Sequence, residues 1–364
     1  MKIVLLSGAS SIHTIRWSNA LANKNVDVHL ISQHEPLEDL NPKVKFYKLP
    51  YKGMLGYYIH ASKVRKLISI IKPDLVNVHY ASGYATLARL AKCYPTILSV
   101  WGSDVYDFPM KSFLHKSVVV KNLKYADRVA STSLAMAEQT NSLLSKKLDN
   151  IAITPFGVDF SQFQDIHYKL DSNEILIGTI KGLEDKYGID ILIKAFALLT
   201  ERLEKQKSER QIFLEIVGEG PKENHLKALV KELNLEDKIK FSGRIEHKFV
   251  PKKLETFDIF AALSRVESFG VAVVEAHAAR RPVIVSNVGG LPEVVTNGIN
   301  GFVVECEDIN NTCDMLEKLV IDYSLRKSMG DAGFQNALEK YSWNVNVDMM
   351  INLYSETLKK VKVK

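Results

Sequence analysis

The first half of the chain alternates short apolar runs with longer stretches in which apolar residues recur at helical spacing. Apolar runs bounded by polar turns are typical of buried parallel strands, and the amphipathic stretches between them are typical of helices. The predicted strands are residues 2–7, 26–32, 75–79, 96–100, 128–132 and 151–154. The predicted helices are residues 12–23, 59–71, 82–92 and 111–125. This alternation favours a doubly wound parallel sheet.

The same pattern starts again after a polar, weakly periodic stretch at residues 159–173, which we interpret as a linker. The second set of predicted strands is residues 175–180, 212–217, 239–241, 259–263, 283–286 and 301–304. The second set of predicted helices is residues 189–203, 222–233, 271–279 and 309–320. We therefore expect an α/β protein with one Rossmann-like domain at residues 1–165 and another at 170–340. A last helix, 341–364, is expected to pack back on the first domain.

Open α/β sheets bind ligands beyond the carboxyl ends of their strands, so two such domains predict a ligand cleft between them. The length of 364 residues also fits two domains. Three cysteines, Cys93, Cys306 and Cys313, have no metal-ligand spacing and indicate free thiols in a reducing compartment. The apolar run at residues 3–6 is too short for a signal peptide, and no apolar window is long enough to span a bilayer. A cytoplasmic protein is therefore expected.

Charge is unevenly distributed along the chain. Residues 1–160 carry 20 Lys and Arg against 11 Asp and Glu, whereas the remainder carries 28 against 31. In the first half, basic and aromatic residues are interleaved at Lys43, Lys45, Phe46, Tyr47, Lys48, Tyr51 and Lys52, and again at Phe108, Lys111, Phe113, Lys116, Lys121 and Lys124. This composition suits an anionic membrane surface with a lipid-linked phosphate, single-stranded nucleic acid, or merely a solvated basic surface.

The richest chemical pattern lies at residues 264–276. A predicted strand runs into a polar loop that contains Glu267, and Gly270 allows the backbone to approach a ligand closely. A helix is predicted to begin at Val271, so that its free N–H groups form an anion site suited to a diphosphate. Glu275, eight positions after Glu267, is a carboxylate that can accept two hydrogen bonds from sugar hydroxyls. A capping loop with a solvated glutamate is the alternative interpretation of this spacing alone.

These residues resemble a known family. The segment from Glu267 to Glu275, followed by residues 281–293 and 297–301, is similar to the nucleotide-sugar domain of glycosyltransferase family 4, the group 1 retaining transferases of the GT-B fold. Further matching motifs are Ile177-Gly178, Lys186-Tyr-Gly188, Val217-Gly-Glu-Gly-Pro221, Phe241-Ser-Gly-Arg244, Trp101-Gly-Ser-Asp104 and Phe156-Gly-Val-Asp159. The resemblance covers nearly the whole chain and is most specific over residues 175–305.

The resemblance implies a role for each matching residue of the second domain. Glu275 would bind the ribose hydroxyls of the donor, and Glu267 would hold the donor sugar. Donor contacts are also implied for Gly218, Arg244, Ser268, Phe269, Gly270 and Val271, with backbone amides at the last three and the base near Arg244. Lys186 would neutralise the departing diphosphate. The arginine that the family usually has beside the first strand of this domain is absent, and Lys181 is the candidate substitute.

In the first domain, the resemblance implies a catalytic role for Asp104 and acceptor-side positions for Gly8, His13, His79 and Trp101. Many relatives have histidine where this chain has Trp101, whose indole can only donate a hydrogen bond. No Asp-x-Asp motif occurs, so neither a metal nor any other cofactor is expected. The resemblance further implies transfer with retention of configuration, in which the leaving phosphate takes the acceptor proton; Glu267 as a glycosidase-like nucleophile is the alternative.

The expected reaction is transfer of a hexose-type sugar from a UDP- or GDP-sugar to an oligosaccharide or lipid-linked acceptor in surface polysaccharide synthesis. The family context favours an anionic membrane surface over nucleic acid, with peripheral attachment at the inner face of the plasma membrane. Two alternatives stay open: a sugar-nucleotide epimerase or hydrolase on the same fold, and a non-catalytic subunit that binds nucleotide sugars. A dinucleotide oxidoreductase is disfavoured, because no strand leads into Gly-x-Gly-x-x-Gly.

Overall fold

A computed structural model describes residues 1–51, 53–167 and 170–362. The chain forms two compact units. Unit 1 contains Met1–Pro155 and the segment from Asn344 onward, and unit 2 contains Phe156–Trp343. Each unit is built around its own parallel sheet with helices in the connections between strands, as the alternating sequence pattern predicts.

Unit 1 has a seven-stranded sheet in the order β3-β2-β1-β4-β5-β6-β7, and every neighbouring pair is parallel. Its strands are β1 (Lys2–Leu6), β2 (Asp27–Ser32), β3 (Lys45–Lys48), β4 (Leu75–His79), β5 (Thr96–Val100), β6 (Arg128–Ser131) and β7 (Ala152–Ile153). Its helices are α1 (Ile12–Asn23), α2 (Gly56–Ile59), α3 (Ala61–Ile71), α4 (Gly83–Ala91), α5 (Ser103–Tyr106), α6 (Phe113–Tyr125) and α7 (Leu134–Ser142). Every residue of β4 and β5 is buried, because helices cover both faces of the sheet centre.

Unit 2 has a six-stranded parallel sheet in the order β10-β9-β8-β11-β12-β13. Its strands are β8 (Glu174–Ile180), β9 (Gln211–Val217), β10 (Ile239–Gly243), β11 (Ile259–Ala262), β12 (Val283–Ser286) and β13 (Gly301–Val304). Its helices are α8 (Ile189–Lys205), α9 (Glu223–Glu232), α10 (Val250–Thr256), α11 (Val271–Ala278), α12 (Leu291–Val294), α13 (Ile309–Ile321) and α14 (Tyr323–Tyr341). A last helix, α15 (Trp343–Lys362), follows.

The strand order reverses at one place in each sheet: between β1 and β4 in unit 1, and between β8 and β11 in unit 2. At such a point the two connections leave in opposite directions, and a crevice opens beyond the carboxyl ends of the two strands. The α/β class with two doubly wound sheets is confirmed, and most predicted strands and helices agree with the structure within one or two residues.

The structure contains several elements that the sequence pattern did not predict, namely β3, α2, α5, α7, α10, α12 and α14. It also divides the chain earlier than the expected linker at 159–173, between Pro155 and Phe156. Val158 bridges Ser342, and a Cβ on Gly157 would lie 2.6 Å from the Trp343 ring, so this segment is fastened to the end of unit 2.

Helix α15 returns to unit 1 from Asn344 onward. The hydroxyl of Tyr354, which is fully buried, donates a 2.7 Å hydrogen bond to Asn77 Oδ1 in β4. Near the start of α15, Asp348 pairs with Lys24 at the end of α1. Within the part of the chain that the structure describes, none of the helices combines the length and the apolar character needed to cross a bilayer.

Candidate functional site

The carboxyl ends of β8 and β11 bring two charged side chains together in unit 2. Lys181 directly follows β8, and Glu267 lies in the loop after β11. They form an ion pair in which the lysine side chain is 10% exposed and the glutamate side chain 12%. The sequence predicted both residues at the donor site but did not predict that they pair. The pair lies at the strand-order reversal, where an open α/β sheet binds its ligand.

Two glycines give the loop around Glu267 its path. Gly270 has φ of 104° and precedes the first residue of α11, which directs the free N–H groups of that helix at the loop. Gly289 has φ of 54°, and a Cβ there would lie 1.8 Å from the carbonyl oxygen of Glu267. The neighbouring Gly290 donates its N–H to the same oxygen at 3.2 Å. The carbonyl group of Glu267 is thus held by the backbone of Gly289 and Gly290, and position 289 has no room for a side chain.

Phe269 fixes the loop from inside unit 2. Its ring is buried and packs edge-on against Phe156 and Tyr341, with ring centroids 6.4 and 5.5 Å away. A ligand could therefore contact Phe269 only through the backbone, as the resemblance implies. Ser268 and Val271, on either side of the Phe269–Gly270 pair, are half-buried and border the start of α11.

Glu275 lies one turn further along α11 and is 6% exposed. Its Oε1 is 2.7 Å from Nε2 of His247, which lies in the connection between β10 and α10. Sequence reasoning missed His247, although it follows Arg244 by only three positions in the loop expected to contact the base. The hydrogen bond fixes the orientation of the Glu275 carboxylate.

Lys186 and Lys181 lie beside the same aromatic ring. Their ammonium nitrogens are 5.0 and 5.1 Å from the centroid of Tyr187. The Lys186 side chain is 35% exposed and its Nζ is 3.1 Å from Glu184. Its carbonyl oxygen accepts from the N–H of Arg265 at 2.7 Å, which ties this loop to the one that carries Glu267. Two cations therefore border the Glu267 loop, one paired in a buried position and one partly open to solvent.

Gly218 and Arg244 follow β9 and β10. Gly218 has φ of 147°, and a Cβ would lie 1.9 Å from the carbonyl oxygen of Lys181, so glycine is required where these two strand ends meet. The Gly218 N–H donates to the carbonyl of Gly243 at 2.8 Å. Arg244 is exposed and lies 3.3 Å from Glu219. Gly218 therefore lies beside Lys181, whereas Arg244 lies one strand further along this edge of the sheet.

The acceptor-side candidates converge at the strand-order reversal of unit 1. Gly8 follows β1, His13 lies in the first turn of α1, His79 ends β4, and Trp101 follows β5. The indole of Trp101 is 4.1 Å from the His79 ring and 6.0 Å from the His13 ring, measured between centroids. Tyr80, which the sequence did not single out, packs edge-on against the same indole at 5.1 Å.

His79 is enclosed within this cluster. It is 2% exposed, its Nδ1 is 3.0 Å from Ser7 Oγ, and its Nε2 is 3.3 Å from Asn77 Oδ1. Burial, with a smaller contribution from the charge of His13, lowers the pKa of His79 to about 3. The ring is therefore neutral at physiological pH, and its hydrogen bond to Ser7 links the ends of β1 and β4.

Asp104 joins the loops that follow β4 and β5. It is 1% exposed, and its carboxylate accepts from the N–H groups of Ala81 at 2.7 Å, Trp101 at 3.1 Å and Gly102 at 2.9 Å. Burial raises the pKa of Asp104, while these backbone N–H groups act in the opposite direction. This geometry makes Asp104 a residue that orients the Trp101 loop; the catalytic role implied by the resemblance stays a prediction.

The basic and aromatic segment at residues 43–52 has a structural role that its composition did not predict. Its centre forms the edge strand β3, in which Lys45 pairs with Asp27 at 2.9 Å and Lys48 pairs with Glu35. The ring of Tyr47 stacks on His29. Part of the positive charge is thus neutralised, while Lys52 lies outside the described residues. In the described portion of the chain, no three His, Cys, Asp or Glu side chains are grouped to hold a metal ion.

Solved structures define the class of fold. The chain superposes on sucrose-phosphate synthase from Thermosynechococcus elongatus with a TM-score of 0.83, 19% identity, and coverage of 99% of this chain and 100% of that one. Anabaena HepE, solved in complex with UDP and glucose, gives a TM-score of 0.76 at 18% identity, with coverage of 98% and 100%. The fold is that of the two-domain GT-B glycosyltransferases.

Family models identify the chain more closely. Residues 161–336 match the family described as glycosyl transferases group 1, and residues 2–133 match that described as glycosyl transferase 4-like. A relative over nearly the full length is N-acetyl-alpha-D-glucosaminyl L-malate synthase of Bacillus anthracis, 25% identical over 97% of this chain and 95% of the relative. Another is D-inositol 3-phosphate glycosyltransferase of Xylanimonas cellulosilytica, 22% identical over 97% and 93%. The chain belongs to the group 1, family 4-like glycosyltransferases.

Proposed function

We propose that this chain is a retaining, metal-independent transferase that moves a hexose-type sugar from a UDP- or GDP-sugar to a glycan or lipid-linked acceptor in surface polysaccharide synthesis. The observation that carries the proposal is the arrangement in unit 2: Lys181 paired with Glu267, and Glu275 paired with His247, around the start of α11. Similar structures of Anabaena HepE hold UDP and UDP-glucose, which supports a nucleotide-sugar donor.

The donor contacts follow from the chemistry of these groups. Glu275 would accept hydrogen bonds from the ribose hydroxyls, and His247 would keep its carboxylate in the required orientation. Glu267 would accept from the hydroxyls of the sugar, with Lys181 balancing its charge. The backbone amides at the start of α11 suit the diphosphate, because helix N–H groups without an internal partner bind anions well.

The leaving group is the main chemical demand of this reaction. Cleavage of the bond between the sugar and the diphosphate leaves negative charge on the phosphate oxygen, and Lys186 with the α11 amides would stabilise that charge. Preorganised positive groups of this kind are usually the largest single contribution to catalysis. The same phosphate oxygen would take the proton of the acceptor hydroxyl as the new glycosidic bond forms, so that no basic side chain is required.

Acceptor binding would involve unit 1, where Gly8 follows β1 and where the His13 ring lies edge-on to Trp101. His79 and Asp104 would position this cluster rather than contact the acceptor, because both are buried and hydrogen-bonded. A lipid-linked acceptor would place the protein at the inner face of the plasma membrane.

A two-stage experiment tests the proposal. In the first stage, nucleoside diphosphates and their sugars are screened by thermal shift; a ligand at 100 times its Kd adds about 2.7 kcal/mol of stability, or roughly 5–11 °C for a domain of this size. In the second stage, release of nucleoside diphosphate is followed with and without acceptors. Release that depends on acceptor, survives a chelator and yields a product of unchanged anomeric configuration supports the proposal. Release without acceptor indicates a hydrolase, and no stabilisation by any nucleotide sugar contradicts it.

A further inference from the structure

Unit 1 exposes two clusters of large apolar side chains that its core does not use. The first cluster consists of Met54, Leu55, Tyr58 and Ile59, which are 49–70% exposed. In the single turn of α2, positions three and four apart share a face, so Leu55, Tyr58 and Ile59 point the same way. The intervening residues, Gly56 and Tyr57, face inward and fix the turn.

The inward face of α2 is tightly packed. A Cβ on Gly56 would lie 2.8 Å from Gln33 Oε1, and the Tyr57 ring lies 2.3 Å from the place of a Cβ on Gly83. Tyr57 also packs edge-on against Tyr84, with centroids 5.1 Å apart. The first cluster is therefore held outward by a packed turn.

The second cluster consists of Met110, in the short 3-10 turn before α6, and Phe113 and Leu114, the first two residues of α6; these side chains are 63–83% exposed. Further along this helix, Asn122 is buried and its Nδ2 donates to the carbonyl oxygens of Ala81 and Ser82 at 2.8 and 3.0 Å. Helix α6 is thus anchored, and its first turn holds two of the most exposed large apolar side chains of unit 1.

Both clusters flank helix α4. Tyr57 of α2 lies under Gly83, the first residue of α4, and Asn122 of α6 binds Ser82, the residue before it. The connections from β3 to β4, from β4 to β5 and from β5 to β6 all cross the sheet in the same direction. Because such crossovers are right-handed, the helices lie on one face of the sheet. The two clusters therefore belong to one side of unit 1.

The sequence segments that carry the two clusters are mainly basic. No Asp or Glu occurs between Asp39 and Asp74, a stretch with eight Lys and Arg, nor between Asp107 and Asp127, a stretch with four lysines. Exposed lysines close to the clusters in sequence are Lys63, Lys66, Lys111 and Lys116. An apolar centre bordered mainly by cations, with the exposed Asp107 beside Met110, is complementary to the surface of an anionic bilayer.

A second copy of the chain fits this surface poorly. A two-fold contact places the same patch on both subunits, which would bring the lysines of one copy against those of the other. A lipid surface instead offers an apolar layer for Leu55, Ile59, Phe113 and Leu114 and phosphates for the lysines.

We propose that the two clusters form a membrane-docking surface, inserting at the headgroup level of an anionic bilayer while the surrounding lysines contact lipid phosphates. This inference deepens the proposed function, because it rests on an acceptor carried by a membrane lipid. It differs from attachment through the charge of the basic segments at residues 43–52 and 108–124 alone: apolar insertion persists when salt screens the lysines, whereas attachment by lysines alone is lost.

Vesicle co-sedimentation of the full chain tests this surface, with phosphatidylcholine vesicles and with vesicles that also contain phosphatidylglycerol. The wild type is expected to bind the anionic vesicles and to retain part of that binding at high salt. Ile59→Ser and Phe113→Ser should each weaken binding about tenfold, because burial of one such side chain is worth at least a factor of ten. The matched controls Ile299→Ser and Phe249→Ser, at 61% and 51% exposure in unit 2, should leave it unchanged.

A second readout is the emission of Tyr58→Trp, which should shift to the blue with anionic vesicles, whereas that of Ile299→Trp should not. Equal loss in the test and control variants, or complete loss of wild-type binding at high salt, overturns the apolar surface. If the chain does not bind vesicles but dimerises with increasing concentration, and Phe113→Ser abolishes the dimer, the apolar surface binds a second copy instead. Calorimetric measurement of donor binding separates the two proposals. If the chain binds the donor but not vesicles, the docking surface is contradicted and the proposed transferase function is not.

Discussion

The Lys181–Glu267 pair predicts a strong energetic coupling. We consider Lys181→Met, Glu267→Gln and the double variant. Each side chain is about nine-tenths buried, so either single change leaves a charged or polar group with little water around it. Breaking a buried ion pair from one side costs about 3–5 kcal/mol. Since one-tenth of each side chain is still exposed, we expect about 2–3 kcal/mol for each single variant.

The double variant should lose less than the sum of the two single losses, because no uncompensated charge is left in the site. A coupling energy of about 1–3 kcal/mol is expected for residues in direct contact. Unfolding of the four full-length proteins is followed by scanning calorimetry, in which each kcal/mol corresponds to roughly 2–4 °C for a domain of 150–250 residues. The single variants should therefore melt about 4–12 °C lower, in the transition that belongs to unit 2.

Lys186→Ala is the matched control, because Lys186 lies beside the same Tyr187 ring but its side chain is 35% exposed. Its stability should change by no more than about 0.5 kcal/mol, while its turnover should fall far more than that of Lys181→Ala. Additive losses in the cycle, with coupling below about 0.5 kcal/mol, would refute the reasoning about the ion pair. A greater loss of turnover in Lys181→Ala than in Lys186→Ala would show that Lys181, and not Lys186, stabilises the leaving diphosphate.

Three further predictions concern single residues. Glu275→Ala should weaken donor binding by about 1.5–3 kcal/mol in calorimetry through loss of a charge-assisted contact, whereas the exposed control Glu232→Ala should not; equal affinities would contradict the ribose assignment. Gly289→Ala should destabilise the chain by more than the 1–2 kcal/mol of positive-φ strain alone, because its Cβ would lie 1.8 Å from a carbonyl oxygen. Gly298→Ala, at φ of 78° with open space around it, should show only the strain, and equal losses would exclude a clash. For His79, whose pKa of about 3 is below its unfolded value near 6.5, the unfolded chain takes up a proton in this interval that the folded chain does not. The unfolding free energy should therefore fall from pH 6.5 towards 3, by up to about 1.4 kcal/mol per pH unit, and His79→Gln should show a shallower fall; identical slopes would contradict a neutral buried ring.

The sheets were largely predictable because parallel strands buried on both faces are simply apolar runs. Strands β4, β5 and β12 begin and end where the pattern predicts. Strand β3 was missed because its sequence, Lys-Phe-Tyr-Lys, is not an apolar run. It is an edge strand that is only partly buried, so it can carry polar residues. Helix α14 was missed because it contains glycines, which disfavour helices. Gly333 occurs there because α14 packs closely on α11: a Cβ at this position would lie 2.5 Å from the His277 ring.

The site was predictable where its parts are local in sequence. The loop and helix from Glu267 to Glu275 form one continuous motif, and the structure has the helix where the spacing places it. The partners of these residues were not predictable from that motif. Lys181 is 86 positions from Glu267, and His247 is 28 positions from Glu275. Such pairs depend on which strands are neighbours, and that order appears only in the folded sheet.

The return of α15 to unit 1 has a consequence for how the chain is made. On the ribosome, the residues of unit 2 all emerge before Asn344, so unit 2 can complete its own fold while unit 1 still lacks its last helix. Until Tyr354 is synthesised, the Oδ1 atom of Asn77 lacks its hydroxyl donor. Domains generally fold as units during synthesis, the earlier one first. For this chain we expect the reverse order, because the first unit to be translated is the last to receive all its residues.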